Sequence, residues 1–96
     1  MAKKRTFEEN IEENNNDKMI VKILSLENGL RQYDDIDFIR ITSEDYNLLI
    51  MKDYLPVIGE IKGSIELQNS ERESIKLDNI IAYYMSSHNE FKLFIK

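Results

Sequence analysis

The chain has 96 residues, a net charge of −5 and no cysteine. That length suggests one small domain, and the absent cysteines exclude a disulfide frame, a thiolate metal site and a cysteine nucleophile. The acidic balance makes a poor binder of phosphate backbones, so nucleic acid is not an expected partner.

Residues 1–18 read as a polar tail, disordered or ordered by a partner. The run "EENIEENNNDK" is acidic and asparagine-rich, a composition that cannot bury a core. Ile11 is the run's only apolar residue and Phe7 directly precedes the run; the two are four apart, the spacing of one face of a short helix. The texture changes at Met19, and residues 19–96 read as a β domain. "MIVKILSL" (Met19 to Leu26) is rich in β-branched and aliphatic residues. "ENG" (Glu27 to Gly29) follows, and Asn-Gly is a strong hairpin signal. "LRQYD" is the return strand. "IDFIRITS" (Ile36 to Ser43) is a further strand with apolar residues on both sides, and "NLLIM" (Asn47 to Met51) another.

"GSIEL" alternates, with Ile65 and Leu67 on one side and Ser64 and Glu66 on the other; "ESIKL" repeats the pattern with Ile75 and Leu77. "NSERE" (Asn69 to Glu73) is the polar turn between them. "NIIAYYM" (Asn79 to Met85) is nearly all apolar, as a buried central strand would be. "SSHN" (Ser86 to Asn89) turns into the last strand, where Phe91, Leu93 and Ile95 share one face. No sustained 3.6-residue period follows Met19, and several short strands between turn residues imply an all-β sandwich or barrel.

Few residues carry chemistry. There is no glycine-rich phosphate loop and no nucleophile elbow. His88 is the one histidine. It lies in a predicted turn, without the partners that zinc or a catalytic triad requires. Asp34, Asp35 and Asp37 form an acidic cluster, but without the glycine and distal glutamate of a calcium loop, so a polar turn between strands is the reading. Tyr83 and Tyr84 point to opposite faces of one strand, one ring filling the core and the other lying on the outer face. No catalytic residue, metal or cofactor is expected. "YNLLIMKDYLPVIGEIKG" (Tyr46 to Gly63) holds the only proline, Pro56. It reads as a short strand, a loop shaped by Pro56 and a glycine-led entry to the next strand. Its excess apolar residues are contact surface rather than core, with Tyr54, Leu55 and Val57 foremost.

The order of these signals resembles the N-terminal β-sandwich of the epsilon subunit of F-type ATP synthases. The matching residues are the strand Val21 to Leu26, then Gly29, then Tyr33-Asp34-Asp35 before the alternating Ile36 to Ile41. They continue with Leu48, Ile50, Pro56 and Val57 in the opening stretch, with "GSIEL", and with the last hairpin, "IIAYYMSSHNEFKLFI". The likeness covers about residues 19–96. Tyr46, Leu49, Lys52 and Tyr54 depart from the family's glycine, glycine, proline and histidine, and Ile80-Ile81-Ala82 replaces a small Ser-Gly-Gly step. The family's C-terminal two-helix hairpin, which carries nucleotide sensing and inhibition, has no counterpart in the sequence.

The resemblance implies a flattened sandwich of two antiparallel sheets. It implies a non-catalytic rotor subunit that binds the gamma shaft, through it the catalytic ATPase subunits, and couples the shaft to a c ring. It would be peripheral, on the cytoplasmic side of the cell membrane, with no direct membrane insertion. By the same resemblance Lys52, Tyr54, Leu55, Pro56 and Val57 would form the shaft interface, and Glu44, Asp45, Tyr46 and Asn47 the loop facing the ring or output element. The departures cluster in those loops. They raise an alternative in which the motor drives something other than a c ring, as in the F-type-like ATPases that power gliding in mycoplasmas. A second alternative is a free-standing β-sandwich adaptor or ligand-binding module.

Overall fold

A computed structural model describes residues 18–96. The tail reading of residues 1–17, with its Phe7–Ile11 face, lies outside the described residues. Six strands follow in chain order: β1 (Met19–Ser25), β2 (Gly29–Ser43), β3 (Asn47–Met51), β4 (Val57–Asn69), β5 (Ser74–Ser87) and β6 (Glu90–Ile95). Among the described residues there is no helix.

The sheet order is β1-β6-β5-β4-β2-β3, and β1 also pairs with β2. The sheet therefore closes on itself as a five-stranded barrel, with β3 attached outside the ring along β2. This corrects the expected two-sheet antiparallel sandwich in two respects. The ring is continuous rather than split into two sheets, and β1 runs parallel to β6, with Val21 opposite Phe91 and Ile23 opposite Leu93. The remaining pairs are antiparallel.

Closure depends on long strands that bend. β2, β4 and β5 span 15, 13 and 14 residues. Each merges segments that the sequence suggests are separate. β2 gives its first half to β1 and its second half to β3 and β4, because an extra residue bulges out between Ile36 and Phe38. The bulge shifts the inward positions from Ile36 to Ile39 and Ile41, which is why the apolar residues of this segment face both ways. It also places Asp34, Asp35 and Asp37 inside a strand rather than in a turn. Their carboxylates go to separate partners: Gln32 at 2.7 Å, Ser70 at 2.6 Å and Lys18 at 2.7 Å.

A second bulge adds a residue to β5, so that Gly63 faces Ile80 and Ile65 faces Leu77. Asn79 sits there at φ 57°, a conformation that asparagine tolerates better than most residues. Inward positions on β5 then run Ala82, Tyr84 and Ser86. "NIIAYYM" is therefore one-sided rather than buried on both faces: Ile81, Tyr83 and Met85 point outward and are exposed. The β5–β6 turn is the pair His88–Asn89, both at positive φ (52° and 64°), the backbone of a tight type I′ hairpin.

The core is aliphatic, with Val21, Ile39, Ile41, Ile50, Ile61, Phe91 and Leu93 fully enclosed. Two glycines make close approaches. Gly63 lies against the β2 backbone, where a Cβ would meet the Thr42 carbonyl oxygen. Gly59 lies under the ring of Tyr84. Tyr84 is 3% exposed and stacks on Phe91 at 5.4 Å between centroids. Tyr46 donates its hydroxyl hydrogen to the Glu60 carbonyl at 2.6 Å, so in the 3.0 Å contact between the two hydroxyls Tyr84 is the donor.

Two predictions follow from this packing. Gly63→Ala drives a methyl group into backbone that cannot turn aside, and should cost about 1–3 kcal/mol in denaturant unfolding. A mutant as stable as wild type would contradict the close approach. Burial first, and then the Tyr46 hydroxyl, push the Tyr84 phenol far above its ordinary range. A folded-state pKa above the unfolded one stabilises the fold below the unfolded value, about 10, and that contribution is lost as pH rises further. Wild type should therefore lose melting temperature between pH 9.5 and 11 more steeply than Tyr84→Phe. Parallel pH profiles would rule out the coupling.

Candidate functional site

No residue of the described chain combines burial, a perturbed pKa and a cleft in the way a catalytic site does. Among the described residues no group of three His, Asp or Glu side chains is placed to hold a metal. His88 is exposed at the tip of the β5–β6 hairpin. The surface feature that stands out is apolar exposure.

Strand parity builds it. On β1, β4, β5 and β6 the inward residues fill the barrel, so every second residue faces solvent. The sheet register aligns the outward residues in rows. One row runs Leu30, Leu24, Phe94, Tyr83, Glu60 across five strands. The neighbouring row runs Gln32, Lys22, Lys92, Met85, Ile58. On the other side Ile81 lies opposite Lys62. Leu24, Leu30, Ile58, Ile81, Tyr83, Met85 and Phe94 are all exposed, Ile58 to 74%. A contiguous apolar patch of this kind on a small domain marks an interaction surface.

Charged groups border the patch. Lys22 pairs with Glu90 at 2.7 Å, holding the carboxyl below its ordinary range chiefly through that hydrogen bond. Lys96 sits 4.3 Å from the centroid of the Tyr83 ring and 3.4 Å from Glu60. Its pKa is raised, first by Tyr83 and then, against some desolvation, by Glu60. Lys62 and Lys92 make no ion pair among the described residues.

The loop expected at a shaft interface adjoins this face. Met51 accepts from the Tyr54 amide at 3.1 Å, closing a turn. Asp53, at φ 65°, is pinned to the β5–β6 turn by a reciprocal pair. Its amide donates to Asn89 Oδ1 at 2.6 Å, and Asn89 Nδ2 donates to Asp53 Oδ1 at 3.2 Å. Tyr54 and Leu55 are exposed, Leu55 to 77%. Lys52 and Pro56 are exposed as well. Val57 opens β4, is half-buried, and packs against the core. Pro56, Val57, Ile58 and Met85 line a shallow hollow that joins the loop to the outer face.

The second expected loop divides. Glu44, Asp45 and Asn47 are exposed, and the Glu44 amide donates to the Lys62 carbonyl at 3.1 Å. Tyr46 turns inward onto Tyr84 and the Glu60 carbonyl. The sequence reading missed the outer residues Leu24, Leu30, Ile58, Ile81, Met85 and Phe94. The signal was present as alternation with apolar residues in both phases, which marks a strand with apolar groups on its exposed face as well as its buried one.

No protein-family model matches the chain, and no curated protein matches it in sequence. Among solved structures, its fold is similar to that of a chain in the cryo-EM structure of the Tetrahymena thermophila mitochondrial ATP synthase central stalk and c ring. The TM-score is 0.62 at 10% identity, over 81% of this chain and 63% of that one. This chain thus matches less than two-thirds of the length of that neighbour. At such identity the likeness establishes a shared fold.

Proposed function

We propose that the chain is a non-catalytic central-stalk subunit of a rotary F-type ATPase, of epsilon type, which grips a gamma-like shaft and couples it to the driven element. The observation that carries this reading is the apolar face of β1, β4, β5 and β6, continued by Tyr54 and Leu55 in the adjoining loop, on a fold shared with a chain in the structure of an ATP synthase central stalk and c ring. A rotor joint has to transmit torque without yielding. A closed barrel with a tightly packed core has few soft modes, and its exposed apolar rows supply the area for a lasting contact. In this assignment the chain works at the cytoplasmic side of the membrane as a peripheral component, in contact with the catalytic subunits through the shaft.

A second reading has the motor drive something other than a c ring, as in the gliding motors. It is favoured by Leu49 and Tyr54, which are exposed at positions where the epsilon family prefers glycine and histidine.

Native mass spectrometry of complexes captured through the tagged full chain tests the assignment. A gamma-like shaft and catalytic ATPase subunits should be present, and a c ring should accompany them in the first reading but not in the second. Capture of the chain as a lone monomer would reject both and leave a free-standing adaptor. In the same assay Leu24→Glu with Phe94→Glu should weaken shaft retention by at least about 30-fold, the loss expected for a central interface cluster. The melting midpoint should hold, because both side chains are exposed. Pro56→Gly should likewise loosen shaft binding more than it lowers the melting midpoint.

A further inference from the structure

The outer face of β1, β6, β5 and β4 also restricts what can lie on it. β1, β6 and the Ala82–Ser86 part of β5 each have a paired strand on both sides, whereas the Val57–Lys62 part of β4 pairs only with β5. Along the Leu24–Phe94–Tyr83 centre of the face the backbone donors and acceptors are therefore occupied, and no strand can pair there. An occupant must satisfy its own backbone hydrogen bonds, as a helix does. The apolar row Leu30, Leu24, Phe94, Tyr83 crosses four strands, roughly 14 Å at the usual strand spacing. That length corresponds to about three turns of helix.

The flanks of the row are cationic on both sides. Lys22 and Lys92 stand in the next row on one side, Lys62 and Lys96 on the other, each about two residues along the strands, roughly 7 Å from the apolar row. A helix is about 10–12 Å across with its side chains, so both of its shoulders would reach these lysines. Glu90 and Glu60 pair with Lys22 and Lys96, Asp34 is bonded to Gln32 of the neighbouring row, and Glu44 and Asp78 share a hollow with Lys62. Among the described residues, the cations without an ion pair beside the apolar row are thus Lys92 on one flank and Lys62 on the other.

We propose that this face binds an amphipathic helix with an apolar stripe about three turns long and acidic residues on both flanks, laid across the strands along the Leu30–Tyr83 row. The proposal rests on the shaft-binding reading only for the identity of the helix; the chemistry stands on the face itself.

The test uses two synthetic helical peptides with one identical leucine and alanine stripe, one flanked by glutamates and one by lysines. Each is titrated against the full-length chain by fluorescence anisotropy. The glutamate-flanked peptide should bind at least about tenfold tighter at 50 mM salt, and the advantage should shrink at 0.5 M as the charges are screened. Lys62→Glu with Lys92→Glu should reverse the preference without moving the melting midpoint. Leu24→Ser with Phe94→Ser should abolish binding of both peptides. Equal affinity, a preference for the lysine-flanked peptide, or no binding by either would overturn the proposal. So would tighter binding to vesicles rich in phosphatidylserine than to the acidic peptide, or a concentration-dependent dimer, lost on Phe94→Ser, that blocks the face. If the acidic peptide fails but the shaft is captured, this inference falls and the stalk assignment stands. If the peptide binds and no shaft is captured, the reverse holds.

Discussion

The close approach of β4 to β2 at Gly63 is the constraint on which the other features depend. Here two backbones come nearer than any side chain would permit, and the missing Cβ leaves room for the Thr42 carbonyl. On the opposite edge of β4 the bulge at Asp78–Asn79 gives β5 one residue more than its partner. Together they allow β4 and β5 to turn from the part of the ring beside β2 to the part beside β6. Without that turn β6 could not reach β1, and the sheet would keep two open edges on this side, with the aggregation hazard that open edges bring.

The same turn decides which residues meet solvent. Because β5 changes inward phase between Leu77 and Ile80, Ala82 and Tyr84 face the core, while Ile81, Tyr83 and Met85 face out. A one-residue change of phase exchanges the two faces of a strand. The apolar outer rows are thus the counterpart of the core rows, set by one bulge. The hydroxyl chain from Tyr84 through Tyr46 to the Glu60 carbonyl fixes this phase from the inside. Glu60 itself then points outward, at the end of the Leu30–Tyr83 row.

Local signals were legible in the sequence, and closure was not. The Asn-Gly turn, the polar Asn69–Glu73 turn and the last hairpin are written in turn residues and in two-residue alternation, and the chain reverses at those three places. The resemblance of the ordered strand signals to the epsilon sandwich anticipated an all-β fold, and a chain in the structure of an ATP synthase central stalk and c ring shares that fold. The parallel contact of β1 with β6 joins residues about 70 apart in the chain, and no local pattern encodes such a pairing. The bulges hid the length of β2 and β5, since an inserted residue breaks alternation just as a turn does. The apolar run from Asn79 to Met85 was ambiguous for a related reason. A strand buried on both faces and a strand with one face in the core and the other on a partner have the same composition. Only the register, which leaves the outer side uncovered, separates them. Tyr46 shows the limit in the other direction: it sits between exposed loop residues, and its inward turn depends on Tyr84, 38 residues away.

On the helix-binding proposal, placement of the lysines would give the apolar face its selectivity. Apolar rows alone would attract any greasy surface, including a second copy of the chain. Two copies meeting through this face would bring Lys62 and Lys92 of each toward those of the other, and like charges at close range oppose association. The rest of the domain is acidic and repels acidic partners at long range, so an approaching acidic helix would be guided only where the lysines lie. The charge arrangement therefore narrows the acceptable partners in two steps: long-range repulsion removes most orientations of an acidic partner, and the apolar row holds the one that remains. Under the proposed stalk assignment that combination would serve a rotor joint, because a contact that re-seated in several orientations would slip under load.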